Sequence, residues 1–281
     1  YPKRQLEEGA KVTRFAPSPT GYVHMGSLYA SLVSERLAHQ SNGVFFLRVE
    51  DTDKKREVEG GVSNIIRALS RFGISFDEGV TDVDDEKGSY GPYKQSERMG
   101  IYKAFAKHMV EKGFAYPCFC SEEELNKIRS RQEENKIAPG YYGEYAVHRN
   151  FTLEQVKEEL SRGKPFVLRV KVPNNPEGRF VFKDLIKGDV EMPENFQDIV
   201  LLKSDGLPTY HFAHVVDDHL MRTTHVIRGD EWLSSAPLHV QLFEMLEWEK
   251  PYFAHISPIM KMEGSSKRKL SKRKDPEADV S

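Results

Sequence analysis

The feature that most constrains this chain is the order of elements in its first fifty residues. An apolar, β-branched run at residues 12–16 leads into a loop punctuated by Pro17, Pro19 and Gly21. A helical pattern and a second buried run at residues 44–49 follow. Proline locks φ and removes a backbone donor, so the loop is ordered but not regular. Beyond it Ser27 is a candidate helix cap, and Leu28, Leu32, Val33 and Leu37 recur at helical spacing until Gly43. Strand, loop, helix and strand make a βαβ unit, whose right-handed crossover sets the two strands parallel. The expected fold class is therefore α/β, a doubly wound parallel sheet.

At 281 residues the chain has room for one large domain or two unequal ones. Between about residues 96 and 193 the texture changes. Lys/Glu-rich helical stretches at 103–112, 122–134 and 153–162 alternate with short strands at 166–170 and 180–185, and turn residues surround Pro173 and Gly178. This reads as an α+β insert. Strand-like 199–202, helical 210–220, strand-like 224–228 and helical 234–248 then restore the α/β alternation, where the second half of the sheet is expected. The expected division is 1–95 with 194–260 as one domain, 96–193 as the insert, and 261–281 as a basic final segment.

Composition narrows the function classes. Hydrophobic residues at 38% and charged residues at 30% suit a globular protein in water, and no apolar run is long enough to span a bilayer. Residues 1–11 lack the apolar core of a secretion signal, which makes the cytoplasm the default. Cys118 and Cys120 are too close to serve as a stapling framework, consistent with a reducing compartment. A formal net charge of −2 argues against holding nucleic acid by bulk charge, so any such contact must be local. The one dense basic run is Lys267, Arg268, Lys269, Lys272, Arg273 and Lys274. By itself it reads either as a solvated tail or as a phosphate-binding segment.

The loop after the first strand is Arg14-Phe15-Ala16-Pro17-Ser18-Pro19-Thr20-Gly21-Tyr22-Val23-His24-Met25-Gly26-Ser27. It sits at a strand's carboxyl end and runs into a helix N-terminus, where open α/β sheets bind ligands and where backbone N–H groups and the helix dipole favour phosphate. His24 supplies a donor for a phosphate oxygen, and Gly26 lets a nucleotide approach the backbone. A proline-rich turn that merely ends the strand is the competing reading. No Walker A or dinucleotide glycine pattern occurs.

His24-Met25-Gly26-Ser27 resembles the HIGH element of class I aminoacyl-tRNA synthetases, and the run from Arg14 to Gly21 resembles the form found in the glutamyl group. Ser27 stands where the family name has its second histidine. Lys269-Leu270-Ser271-Lys272-Arg273 is similar to the family's KMSKS loop, with its two lysines placed to neutralise phosphate charge as pyrophosphate leaves. Lys261-Met262 begins a similar string upstream, but Glu263 would oppose a triphosphate. The resemblance implies a Rossmann-like domain split by a connective insert that grips the acceptor end of tRNA. It implies His24, Gly26, Ser27, Leu270, Ser271 and Lys272 at ATP, with His24, Lys269 and Lys272 as the catalytic set.

Arg48-Val49-Glu50-Asp51-Thr52-Asp53 resembles the family's Arg-Ile-Glu-Asp-Thr-Asp segment, which implies that Glu50 accepts the amino acid's ammonium group. Matching segments around Tyr210 and Arg228 carry over glutamate contacts to Arg14, Ala16, Ser18, Tyr210, Arg228 and Trp232. Arg228 is the natural partner of the side-chain carboxylate, because a guanidinium fork matches it with two hydrogen bonds. Glutamine would leave that charge unpaired at a cost of roughly 2–5 kcal/mol. His214 occupies a position where the family often has asparagine; it reads either as a glutamate contact or as a packed helix residue.

The expected function is thus a glutamate–tRNA ligase using ATP and Mg2+, with L-glutamate and tRNA(Glu) as partners, monomeric and free of membranes. Glutamate's α-carboxylate would attack the α-phosphate, and the terminal ribose hydroxyl of tRNA would then attack the adenylate carbonyl. An anticodon-binding domain is expected after the lysine loop, so the chain reads as an excised part in preference to a glutamyl-Q tRNA(Asp) synthetase. A reading from another class is a metal-dependent hydrolase using His211, His214 and Asp218, which share one helical face. Cys118-Phe119-Cys120 resembles half of a zinc knuckle. Tyr145 stands where a third cysteine would fall and only His148 lies nearby, so no metal is expected.

Overall fold

The computed structural model describes residues 1–21, 23–53, 55–173, 175–270 and 275. Its first elements are β1 (Val12–Phe15), α1 (Met25–His39), β2 (Val44–Leu47), α2 (Gly61–Arg71), β3 (Glu78–Asp82) and β4 (Asp85–Lys87). β1 pairs parallel with β2 and β2 with β3, while β4 closes the edge as an antiparallel hairpin. Phe45, Phe46 and Leu47 are fully buried, as expected of a parallel strand covered on both faces. The turn from α1 into β2 brings Gly43 so close to Lys11 that a Cβ there would lie 1.9 Å from the Lys11 carbonyl oxygen. Only glycine fits that approach.

The middle of the chain forms α3 (Met99–Glu111), β5 (Ala115–Cys118), α4 (Glu122–Glu134), α5 (Leu153–Ser161), β6 (Val167–Val170), β7 (Arg179–Asp184), β8 (Gly188–Pro193) and β9 (Val200–Leu202). Helices α4 and α5 are polar and short of buried residues, and both begin with a capping box: Ser121 with Glu124, and Thr152 with Gln155. Reciprocal side-chain bonds to the orphan N–H groups supply what packing does not. β5, β6 and β9 make a separate antiparallel sheet. Strand 199–202 therefore exists, but it joins β6 and not the second half of the main sheet. Apolar patterning identifies a strand without naming its neighbour.

The chain then forms α6 (Tyr210–Leu220), β10 (His225–Gly229), α7 (Ala236–Met245), β11 (Tyr252–Ile256), β12 (Met260–Glu263) and β13 (Ser266–Lys269). β10 and β11 are parallel, and β7 with β8 extends the edge beyond β11. β10 lies beside β1: the Thr224 N–H donates to the Val12 carbonyl at 2.9 Å, and the Val12 N–H donates to Thr224 Oγ1 at 2.8 Å. Strand order runs outward through β2 and β3 on one side of that seam and through β11 and β7 on the other. The seam is the point where winding reverses, the usual place for a ligand in such a sheet.

A band of buried charge underlies the seam. Arg48, Arg98, Asp217 and Asp218 are all at most 1% exposed. Asp217 accepts from Arg98 at 2.7 Å, from Tyr102 at 2.8 Å and from Gln95 at 2.9 Å, which ties α3 to α6 beneath the sheet ends.

Candidate active site

At the carboxyl ends of β1 and β10 lies a cavity of about 540 Å³. Arg14, Ala16 and Ser18 from β1 and its loop form one wall, with His24, Gly26 and Ser27 from the start of α1. Glu50 follows β2; Tyr210 opens α6; Arg228 ends β10; Trp232 stands in the 3-10 turn after it; Lys269 and Leu270 come from the end of β13. Twelve residues singled out along 257 positions of sequence thus line one cavity. Ser271 and Lys272 lie outside the described residues.

The nucleotide-loop half departs from expectation at the helix start. The cap of α1 is His24, not Ser27. The His24 imidazole accepts the Ser27 N–H at 3.2 Å and lies 3.0 Å from Ser27 Oγ. With its backbone extended at φ −117°, His24 has the geometry of a cap, and Ser27 becomes the capped residue. Gly26 sits over this ring, where a Cβ would come within 3.0 Å of it. No acidic residue occupies the first turn, so the positive end of the helix dipole faces the cavity uncompensated.

Across the cavity, β12 and β13 form an antiparallel hairpin that delivers Lys269. The basic run is therefore not a solvated tail in its described part. Arg268 is held by Glu263 at 2.7 Å and by Asp275 at 2.6 Å, and Lys269 Nζ lies 3.5 Å from Glu231. Both members of that last pair are more than half exposed, at 56% and 52%, so the contact is weak and Lys269 is readily recruited by a stronger anion.

The other half carries the charges that suit an amino acid. Glu50 is 7% exposed and accepts from Arg48 at 3.1 Å. Burial raises its carboxyl above the usual range, opposed by Arg48 and Arg14. Arg14 has a carboxylate near it, Asp218 at 3.5 Å. Arg228, 5% exposed, donates to His255 Nε2 at 2.9 Å and lies 3.0 Å from His239 Nδ1, while its Nη2 has no hydrogen-bond partner. Burial lowers its pKa to about 10, which still leaves a cation at neutral pH. Burial also lifts the Tyr210 hydroxyl, keeping it neutral, and the Tyr210 ring packs on Trp232 with centroids 4.7 Å apart.

His214 does not line the cavity. It is fully buried, stacks behind Tyr210 at 5.7 Å and faces Arg14 at 3.4 Å. Of the cluster His211, His214 and Asp218, only His214 and Asp218 meet, at 3.3 Å; His211 turns to His239 at 3.0 Å, and Asp218 is taken up by Arg48 at 2.7 Å. The donors that do converge are Cys118, Cys120 and His148, whose ligand atoms lie within 4.8 Å of one another. Tyr141, not Tyr145, brings its hydroxyl alongside, 3.5 Å from Cys120 and 3.3 Å from His148. With His148 the two cysteines offer three of the four nitrogen or sulfur ligands that structural zinc generally takes, one more than the sequence pattern by itself supplied.

His239 and His255 were not singled out from the sequence. Each interrupts an otherwise apolar run, Pro237-Leu238-His239-Val240 and Phe253-Ala254-His255-Ile256, and that interruption is the signal that marks them.

Residues 11–280 match the model of the family described as tRNA synthetases class I (E and Q), catalytic domain. Over 281 residues the chain is 61% identical to a glutamate–tRNA ligase of Clostridium beijerinckii and 59% identical to that of Clostridium perfringens strain 13. All of this chain is covered, against 51% and 52% of those relatives. The chain spans about half the length of the relatives it matches. Among solved structures, a glutamate tRNA ligase from Elizabethkingia meningosepticum, in complex with its amino acid, superimposes with a TM-score of 0.86 at 40% identity, covering 95% of this chain and 53% of that one.

Proposed function

Since this chain belongs to the class I tRNA synthetases of the E and Q group through their catalytic domain, we propose that it activates L-glutamate with ATP and passes it to the terminal adenosine of tRNA(Glu). The observation that carries the choice of amino acid is Arg228, a buried cation without a carboxylate partner among the described residues, facing the same cavity as Glu50. Glutamate offers complementary charge to both. Its ammonium meets Glu50, and its side-chain carboxylate meets the guanidinium fork of Arg228. Glutamine would leave Arg228 unpaired in a desolvated site.

The triphosphate would lie along the start of α1 and reach Lys269, with Lys272 three residues further along the sequence. Mg2+ would accompany it and share its charge. No protein nucleophile is needed: the α-carboxylate of glutamate attacks the α-phosphate and pyrophosphate leaves, after which the terminal ribose hydroxyl attacks the adenylate carbonyl. The residues act by alignment and by stabilising charge. We assign residues 1–95 and 194–260 to the catalytic domain, 96–193 to an acceptor-end-binding insert, and 261–281 to the lysine-loop segment; the division is crossed by two strand pairings, since β7 and β8 extend the sheet of β11 and β9 joins β6.

ATP–pyrophosphate exchange with glutamate, measured with and without tRNA(Glu), tests this reading. Exchange that depends on glutamate and not on glutamine supports it. Exchange with glutamine alone, or with neither in the presence of tRNA, overturns it.

A further inference from the structure

Two arginines lie buried in this site, and the fold treats them in opposite ways. Arg48 meets three carboxylates: Asp218 at 2.7 Å, Glu50 at 3.1 Å and Asp217 at 3.7 Å. Among the described residues Arg228 has no ion pair with a carboxylate; its hydrogen-bonding neighbours are the imidazoles of His255 and His239, with Tyr210 close by. The Phe253 ring lies against the guanidinium, its centroid 5.1 Å from Cζ.

A guanidinium cannot shed its proton, so any ring nitrogen bonded to it must be an acceptor. That requirement fixes both tautomers. His255 accepts through Nε2, so its Nδ1 carries the proton and donates it to Asp184 at 2.6 Å. Asp184 is 1% exposed and also accepts the backbone N–H of Ile186 and of Lys187, both at 3.0 Å, so it is itself held still. His239 accepts through Nδ1, so its Nε2–H donates to His211 Nδ1 at 3.0 Å. Arg228 is thus gripped from β11 and from α7, and in both cases the group that touches it is a neutral imidazole, the Asp184 carboxylate standing one residue behind His255.

The consequence is chemical. A carboxylate in place of either imidazole would hold the guanidinium as firmly, but it would cancel the charge on which the substrate depends. We propose that His239 and His255, the latter oriented by Asp184, are positioning residues for amino-acid specificity: they act as neutral hydrogen-bond acceptors that fix Arg228 in place and reserve its charge for the substrate's side-chain carboxylate. This rests on the reading of glutamate as substrate.

The test uses four variants in the exchange assay, with separate KM values for glutamate and ATP. His255→Phe and His239→Leu remove the acceptor, and His255→Gln restores one. His239→Glu places a carboxylate against Arg228. Loss of one charged hydrogen bond predicts a rise of about tenfold in glutamate KM for the first two, with ATP KM unchanged, and recovery of most of that loss in His255→Gln. His239→Glu is expected to keep its thermal midpoint and lose glutamate saturation by about a hundredfold, because its own carboxylate occupies the fork. A general packing defect would instead raise both KM values and lower the midpoint. Equal rises for ATP and glutamate, no recovery with glutamine at 255, or normal glutamate KM in His239→Glu each overturn the proposal. If the unsubstituted protein fails to use glutamate, the functional reading falls and this one with it; if only the variants fail to respond, this one falls alone.

Discussion

Arg48 donates to Asp218 at 2.7 Å with both side chains wholly out of water. The pair joins the residues after β2 to α6, and through Asp217 it continues to Arg98, just before α3, and to Tyr102 in its first turn. Removing one member of a buried ion pair strands the other. Asp218→Leu is therefore expected to lower unfolding stability by about 3–5 kcal/mol in urea titration. A change under about 1 kcal/mol would mean that Glu50 and Asp217 already satisfy Arg48.

Arg228→Gln should separate stability from function. Among the described residues this cation has no carboxylate partner, so its removal is expected to leave the thermal midpoint unchanged or higher. Use of glutamate should fall by about a hundredfold or more in kcat/KM. A variant that unfolds earlier and keeps its selectivity would count against the assignment.

Glu50 gives a pH signature. Burial raises its pKa above that of an ordinary glutamate side chain. The ammonium contact needs the carboxylate, so glutamate KM is expected to rise as pH falls through that raised value, above the range of ordinary carboxylates. Its effect on stability has the opposite sign: the native state binds the extra proton, so Glu50 costs stability as pH rises through the same window. Glu50→Gln should remove the acid limb from the glutamate KM profile.

The histidines set a separate limit. His211, His214, His219, His225, His239 and His255 are all lowered below 6.5, chiefly by burial, with His219 at about 4. A lowered folded value means that the unfolded chain binds more protons below 6.5. Stability is then full above pH 6.5 and lost as pH falls towards the folded values. Urea midpoints measured from pH 7.5 to 5 should decline steadily from near 6.5. A flat profile down to pH 5 would contradict the burial of these rings.

Gly26→Ala tests the loop over His24. The added Cβ would sit 3.0 Å from the imidazole Cε1 and 3.1 Å from Nδ1, so the ring must give way by a few tenths of an ångström. A displacement of a few tenths of an ångström at a phosphate contact is expected to lower kcat by about tenfold. Glutamate KM should stay put, which steady-state kinetics with each substrate varied in turn would check.

The parallel βαβ opening, the bounds of α6 and the nucleotide-loop residues were legible along the chain, because they rest on local rules: apolar periodicity, proline and glycine punctuation, and a helix N-terminus after a strand. Arg228 and Glu50 were singled out through the family resemblance, and the structure sets both on one cavity. What only the tertiary structure decided is which charges are already compensated. Arg48 and Arg228 are the same residue type at strand ends, and nothing in their neighbours along the chain separates them. One meets Asp217 and Asp218, some 170 residues away, and the other meets His239 and His255 from α7 and β11. The partner of β9, the convergence of His148 on the cysteines and the cap at His24 were decided in the same way. Strand pairing, burial and hydrogen-bond partnership are set by which segments meet in space, and a one-dimensional pattern states the preference of each segment without stating whom it meets.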